Sequence, residues 1–114
     1  MKLHIPNNLD LKEIELNYRP VTLEIYYSQF GRDLSQDLLD CLRKYGSLTR
    51  SLALRLIWSC AITHDSQFMT FIQFIDGIEY NINDFVTKWG AEFNNWFIDQ
   101  VRDDMDIINP YAHS

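Results

Sequence analysis

An all-α fold, a small single-domain helical bundle of four to five helices with an irregular N-terminal lead-in, is what the chain predicts, on three observations. From residue 18 onward apolar residues recur at helical spacing, Gly, Asn and Asp punctuate those stretches, and every connection between them reads short. At 114 residues the chain is sized for one domain. Such a chain buries roughly 65% of its unfolded surface, enough for one core without staples. The expected organisation is a lead-in over 1–17, a helical domain over 18–106 and a frayed tail over 107–114.

Each element follows from local signals. In the lead-in, Pro6 and the Asn7-Asn8 pair break periodicity, and Leu9, Leu11, Ile14 and Leu16 give no clean repeat, so irregular or partly extended backbone is expected. Pro20 suits a first helical turn, where its missing N–H does no harm. The run Val21 to Phe30 fits a strand alternation as well as helical spacing through Leu23, Tyr26, Tyr27 and Phe30. Helix is preferred because Gly31 then supplies its C-terminal stop. Asp33 with Gln36 resembles a capping box, after which Leu34, Leu38, Leu42 and Tyr45 share one face up to Gly46.

Ser47 or Thr49 opens the next helix, apolar around most of its circumference from Leu52 to Ile62, with Arg50 and Arg55 as a narrow wet edge. A helix apolar all round is the buried, central one. Asp65 or Ser66 caps a short element from Gln67 to Ile75, with Phe68, Phe71, Ile72 and Ile75 at 3-4-3 spacing, and Asp76-Gly77 reads as a turn. Asn81 or Asn83 then opens a long helix whose stripe is Phe85, Val86, Trp89, Phe93, Trp96, Phe97 and Val101. Gly90 inside it costs about 1 kcal/mol against Ala, so either something packs closely there or the helix bends.

Composition narrows the function classes. Nearly half the chain is apolar, which argues against global disorder. No apolar run approaches the ~18 residues of a membrane span, and the first residues lack the apolar core of a signal peptide. A cytosolic protein with no membrane partner is expected. Cys41 and Cys60 sit in helical apolar patterns and read as core thiols. The net charge of −6 is uneven: residues 1–55 carry eight bases and seven acids, residues 56–114 two bases and nine acids. The second half would repel a phosphate backbone, so ordinary nucleic-acid binding is not expected.

Catalytic grammar is missing. His4, His64 and His113 are scattered, and no set of ligands has zinc spacing. His64 reads as a helix-end histidine. Asp103, Asp104 and Asp106 lack the Gly and terminal Glu of a calcium loop. There is no Gly-rich phosphate loop and no nucleophile elbow. No cofactor, metal or catalytic residue is assigned, and the protein is expected not to be an enzyme.

The aromatic residues have two readings. They fill the core, or part of them is surplus and marks a partner surface, since Trp and Tyr are enriched at binding hot spots. Leu34, Leu38, Leu42, Leu52, Leu56, Ile57 and Trp58 already fill a centre. On the second reading Tyr26, Tyr27, Phe74, Tyr80, Trp89, Trp96 and Phe97 are the candidate partner-binding residues.

Two phrases, NYRPVTLEIYYSQFGRDLSQDLLDCL and LALRLIWSCAITHD, followed by FMTFIQFIDGI, resemble in order and spacing the tail assembly chaperones of long-tailed bacteriophages. The resemblance covers roughly residues 17 to 100 and rests on apolar and turn patterns. Its motif residues are Tyr18-Arg19, Phe30-Gly31, Asp33-Leu34, Leu56-Ile57-Trp58 and Phe74-Ile75-Asp76, which by that resemblance shape the bundle. Ser59 stands where the family favours Ala, the segment after Gly31 lacks the common run of glutamates, and residues 1–16 match nothing in the family.

The resemblance implies a non-catalytic helical protein that coats the long tape-measure protein in the infected host cytoplasm, self-associates, and is absent from the mature virion. In the family a longer form made by ribosomal frameshifting recruits the tail-tube protein, and this chain would be the short form. Two rivals stand beside it. One is a small acidic antagonist of a host defence nuclease, a DNA mimic or steric plug, motivated by the acidic second half. The other is a plain regulatory or immunity-type binding domain.

Overall fold

Capping residues set the helix boundaries. In the computed structural model, which describes residues 1–79 and 81–102, α1 spans Val21–Phe30, α2 Leu34–Tyr45, α3 Arg50–His64 and α4 Phe71–Gly77. A fifth helix runs in three pieces: α5 over Ile82–Asp84, a π-helical turn over Phe85–Trp89, and α6 over Gly90–Val101. The chain is an all-α bundle, as its periodicity predicts. Tyr80, the acidic residues 103–106, His113 and the tail from 107 lie outside the described residues.

Gly31 and Gly46 end α1 and α2 with positive φ, the left-handed cap only Gly adopts without strain. Thr49, not Ser47, caps α3 through its bond from Leu52 N. Asp33 accepts from Gln36 N, but the reciprocal half of the expected capping box is missing: Gln36 Nε2 turns forward to Asp40 Oδ1 at 2.8 Å. A complete capping box occurs at Thr70 and Gln73 instead. That cap moves the short fourth helix later than the sequence pattern suggests. Asp76 and Gly77 form its last turn, not a free turn.

The lead-in differs most from expectation. Its β1 (Lys2–Leu3) and β2 (Ile14–Glu15) pair antiparallel, with Leu3 opposite Ile14. Alternation then sends Leu3, Ile5, Ile14 and Leu16 into the core. Asn7 organises the loop between the strands: its amide donates to the carbonyls of Ile5 and Leu11 and accepts from the N–H groups of Leu9 and Leu11. So the Asn that breaks periodicity supplies the loop with a side-chain scaffold. The lead-in also clamps the end of α4: Asn8 N donates to Gly77 O, and Glu79 N to Pro6 O. Leu9 packs where a Gly77 side chain would stand, so Gly77 is required for this closure.

Around α3 the remaining elements form a sleeve. Asn17 N donates to Cys60 O on one side. α1 is joined to α3 through Thr22 Oγ1 and Thr63 Oγ1 at 2.7 Å. Because the Thr63 hydroxyl hydrogen goes to Ser59 O, Thr22 is the donor in that pair. Arg19 Nη2 donates to Thr63 O at 3.0 Å, and Trp58 Nε1 ties the loop before α4 to α3 through Met69 O at 2.9 Å. Tyr18 meets Phe97 of α6 edge to face. His64, expected to turn to its own helix end, has its ring nitrogen 3.2 Å from the Asn17 amide.

The π turn explains Gly90. It inserts an extra residue into the helical turn, and a Cβ at Gly90 would collide with the Phe85 carbonyl oxygen and ring. Helix propensity favours Gly90→Ala by about 1 kcal/mol; the collision with backbone opposes it. Gly90→Ala is expected to destabilise by about 1–3 kcal/mol, as overpacking does, measured by urea unfolding with the wild type alongside.

Candidate functional site: an apolar groove between α3 and α4

Most of the aromatic residues nominated as partner-binding are core. Tyr26, Phe74, Trp89 and Phe97 are buried, so their exposure is corrected. The physical reason is that α3 is apolar on every side and needs large side chains from each neighbour to cover it. Trp96 is half-buried, its ring tilted against Phe93. Tyr27 is 60% exposed. The motif residues Leu34 and Trp58 are buried, Tyr18 is half-buried, and Arg19, Gly31, Asp33 and Asp76 lie at the surface.

Exposed apolar surface occurs elsewhere. Phe71, Ile72 and Ile75 were expected to share the buried stripe of the fourth helix with Phe68. With Thr70 as cap, Phe74 and Gly77 take the buried positions, and Ile72 is left 78% exposed beside a partly exposed Ile75. The Thr-x-x-Gln signal was the one that could have found this rotation. Ile75 and Phe71 line one side of a cleft of about 440 Å³, with Arg50, Ser51, Leu54 and Arg55 of α3 on the other. A shallower continuation over Phe71, Ile72, Ile75 and Asp76 extends it along α4.

An aromatic cluster backs the wall of this groove. Phe30 packs edge to face on both Phe71 and Trp58, with ring centroids at 4.8 Å and 6.0 Å, and Phe71 meets Trp58 in the same manner. Such pairs prefer edge-to-face geometry and resist sliding. Arg55 lies 5.9 Å from the Phe30 ring centre and closes the far end.

Beyond Arg55 the surface turns polar around Asp37, which sequence reasoning missed. Its carboxylate accepts from Tyr26 Oη at 2.6 Å and from Arg32 Nε at 2.8 and 2.9 Å, with Arg55 Nη1 at 3.9 Å. Burial alone would raise the Asp37 carboxyl. The bonds from Arg32 and Tyr26 and the charges of Arg32 and Arg55 outweigh it and hold the group below the usual carboxylate range. Burial, then the bond to Asp37, pushes the Tyr26 phenol well above its ordinary value. This cluster ties α1, α2 and α3 together and fixes Arg55 at the groove. The signal in the sequence was faint: an Asp at i+4 from the cap, facing inward among leucines.

The groove presents apolar surface to solvent. Among the described residues no group of three His, Cys, Asp or Glu side chains converges as metal ligands do. Cys60 is wholly buried, and burial pushes its thiol far above the ordinary range, away from the reactive thiolate. Cys41 is also buried, its Sγ 3.3 Å from Ser47 O. No helix among the described residues is long and apolar enough to cross a membrane. In comparisons with known proteins the chain matches no family model, no curated protein and no solved structure.

Asp37→Ala is expected to cost about 1.5–3 kcal/mol, the range for a charged hydrogen bond, since it also strands the Tyr26 hydroxyl. Because the folded group titrates lower than the unfolded one, its contribution is complete above the ordinary carboxylate pKa of about 3.9 and is lost as pH falls through the lower folded value. Urea unfolding of wild type and Asp37→Asn should therefore differ at neutral pH and converge in that acid window.

Proposed function

We propose that this protein is a non-catalytic chaperone that holds an amphipathic helix of a longer partner in the α3–α4 groove, and that the partner is a phage tape-measure protein. The observation that carries the proposal is the outward face of α4: Ile72, the most exposed of the large apolar side chains, lies with Ile75 and Phe71 in an apolar strip next to a cleft. Apolar grooves of this kind receive the i, i+3, i+4, i+7 face of a helix. Weak binding at one groove, repeated along a long helical partner, gives a coat of many copies through multivalency. The tape-measure assignment is supported by the pattern shared with tail assembly chaperones. Work in the host cytoplasm, absence from the virion and recruitment of tail-tube protein by a longer form belong to the same proposal.

The nuclease-antagonist alternative has less behind it. A DNA mimic needs acids in an unbroken row at phosphate-like spacing. Here Asp99 is paired with Arg102 at 3.0 Å, and Lys88 falls between Asp84 and Glu92.

Co-expression with a long helical tape-measure protein should give co-elution in many copies on size-exclusion chromatography with light scattering. Ile72→Asp should sharply weaken that co-elution while changing stability by no more than about 0.5 kcal/mol, as exposed substitutions do. An Ile72→Asp variant that still coats the partner would move the site off α4; a wild-type monomer beside an aggregated partner would end the proposal.

A further inference from the structure

Two guanidinium groups share one carboxylate beside the groove, and the sharing is unequal. Arg32 brings Nε to 2.8 and 2.9 Å from the Asp37 oxygens and Nη2 to 2.6 Å from Oδ1, while Tyr26 Oη donates to Oδ2. Those donors take up most of what the carboxylate can accept. Arg55 comes no nearer than 3.9 Å, beyond hydrogen-bond range. Its charge is held by Asp37, but its donors are left over. Among the described residues the Arg55 guanidinium makes no hydrogen bond, and its Nε is buried without a partner. The side chain is only 27% exposed. An Arg this withdrawn is ordinarily paired, because it gives up hydration that only a partner restores.

The trio of Arg32, Arg55 and Asp37 is net positive, and its unspent part borders the groove. Arg55 and Arg50 line the α3 wall, where no acid stands. Across the groove, the shallower continuation along α4 carries exposed Asp76. The two edges of the apolar strip therefore have opposite sign.

We infer that Arg55 determines specificity in the groove, selecting a partner helix that carries a carboxylate, Glu or Asp, on the edge of its apolar stripe facing α3. A guanidinium binds a carboxylate through two parallel bonds, a geometry that an ammonium does not reproduce. Asp76 repels a carboxylate on the opposite edge, so the two charges also set the direction in which the helix lies. Such selection rests on the groove holding a helix, as proposed above, and adds the chemistry of the segment that is held.

Three labelled synthetic helical peptides test it, sharing one leucine stripe and differing only at one flanking position, which is Glu, Gln or Lys. Fluorescence anisotropy follows their binding to the full chain. The wild type is expected to bind the Glu peptide about tenfold more tightly than the Gln peptide, the low end for a hydrogen bond to a charged group. The Lys peptide should bind least tightly. Arg55→Gln should bring the Glu peptide to the level of the Gln peptide while leaving Gln-peptide affinity within about twofold, as for independent contacts. Arg55→Lys, which keeps the charge without the fork, should fall between. An Arg55 that only supports the fold would weaken all three peptides together when replaced.

Arg55 also lies against Phe30, so circular dichroism checks that each variant is folded. If a variant unfolds, the three peptides on the wild type still decide. Equal wild-type affinity for the Glu and Gln peptides, or a Glu preference that survives Arg55→Gln, would overturn the selection and leave the groove standing. Binding of none of the three would overturn the groove, and the role of Arg55 with it.

Discussion

A helix that is apolar on all sides can be stable only if something covers every side, and α3 imposes that requirement on the rest of the molecule. Its residues from Leu52 to Ala61 are buried apart from Arg55, with polar Ser59 and Thr63 satisfied by carbonyls of their own helix. Coverage from all directions needs more partners than two neighbouring helices provide. α1, α4 and α6 take three sides, and the lead-in completes the sleeve. Hydrophobic burial supplies the driving force. Specific polar bonds, Thr22 to Thr63 and Trp58 to Met69, fix the order in which the elements lie.

Covering α3 consumes nearly all the large side chains, which is why the apparent aromatic surplus disappears into the core. Single apolar side chains stay outside on several helices, Tyr27, Tyr45 and Val86 among them, and on α4 Ile72 and Ile75 stand together beside the groove. The Phe30–Trp58–Phe71 cluster stiffens that groove from beneath, and the Asp37 cluster holds Arg55 at its edge. The exposed apolar strip is therefore a by-product of how a short, tightly capped helix meets the central one.

Helix existence and type were legible because α2 carries a strong period, α3 is a long run apolar all round, and plain caps stand at Asp33, Thr49, Gly31 and Gly46. The lead-in was not, since pairs of two-residue strands show no periodicity, and the organising role of Asn7 depends on a loop geometry that spacing does not reveal. The π turn was visible only as an unexplained Gly90. Exposed apolar surface on a helical bundle was legible in kind, but its place on α4 was not. Choosing between Ile72 and Phe74 as the buried residue of α4 requires knowing the first residue of the helix, and a shift of that start rotates every later side chain by about 100° per residue. Asp37 was hidden for another reason: a buried carboxylate is stable only through Tyr26, Arg32 and Arg55, which are brought together by the tertiary fold.

The central claim is that the α3–α4 groove, and not the aromatic face of α6, receives a partner helix. Titration of the isotope-labelled protein with an amphipathic helical peptide from a tape-measure protein, followed by backbone and methyl NMR shifts, tests it most directly. The account predicts perturbations concentrated at Arg50, Leu54, Phe71, Ile72 and Ile75, with Trp89, Phe93 and Phe97 unmoved. Shifts centred on α6, or a spectrum unchanged at saturating peptide, would contradict it.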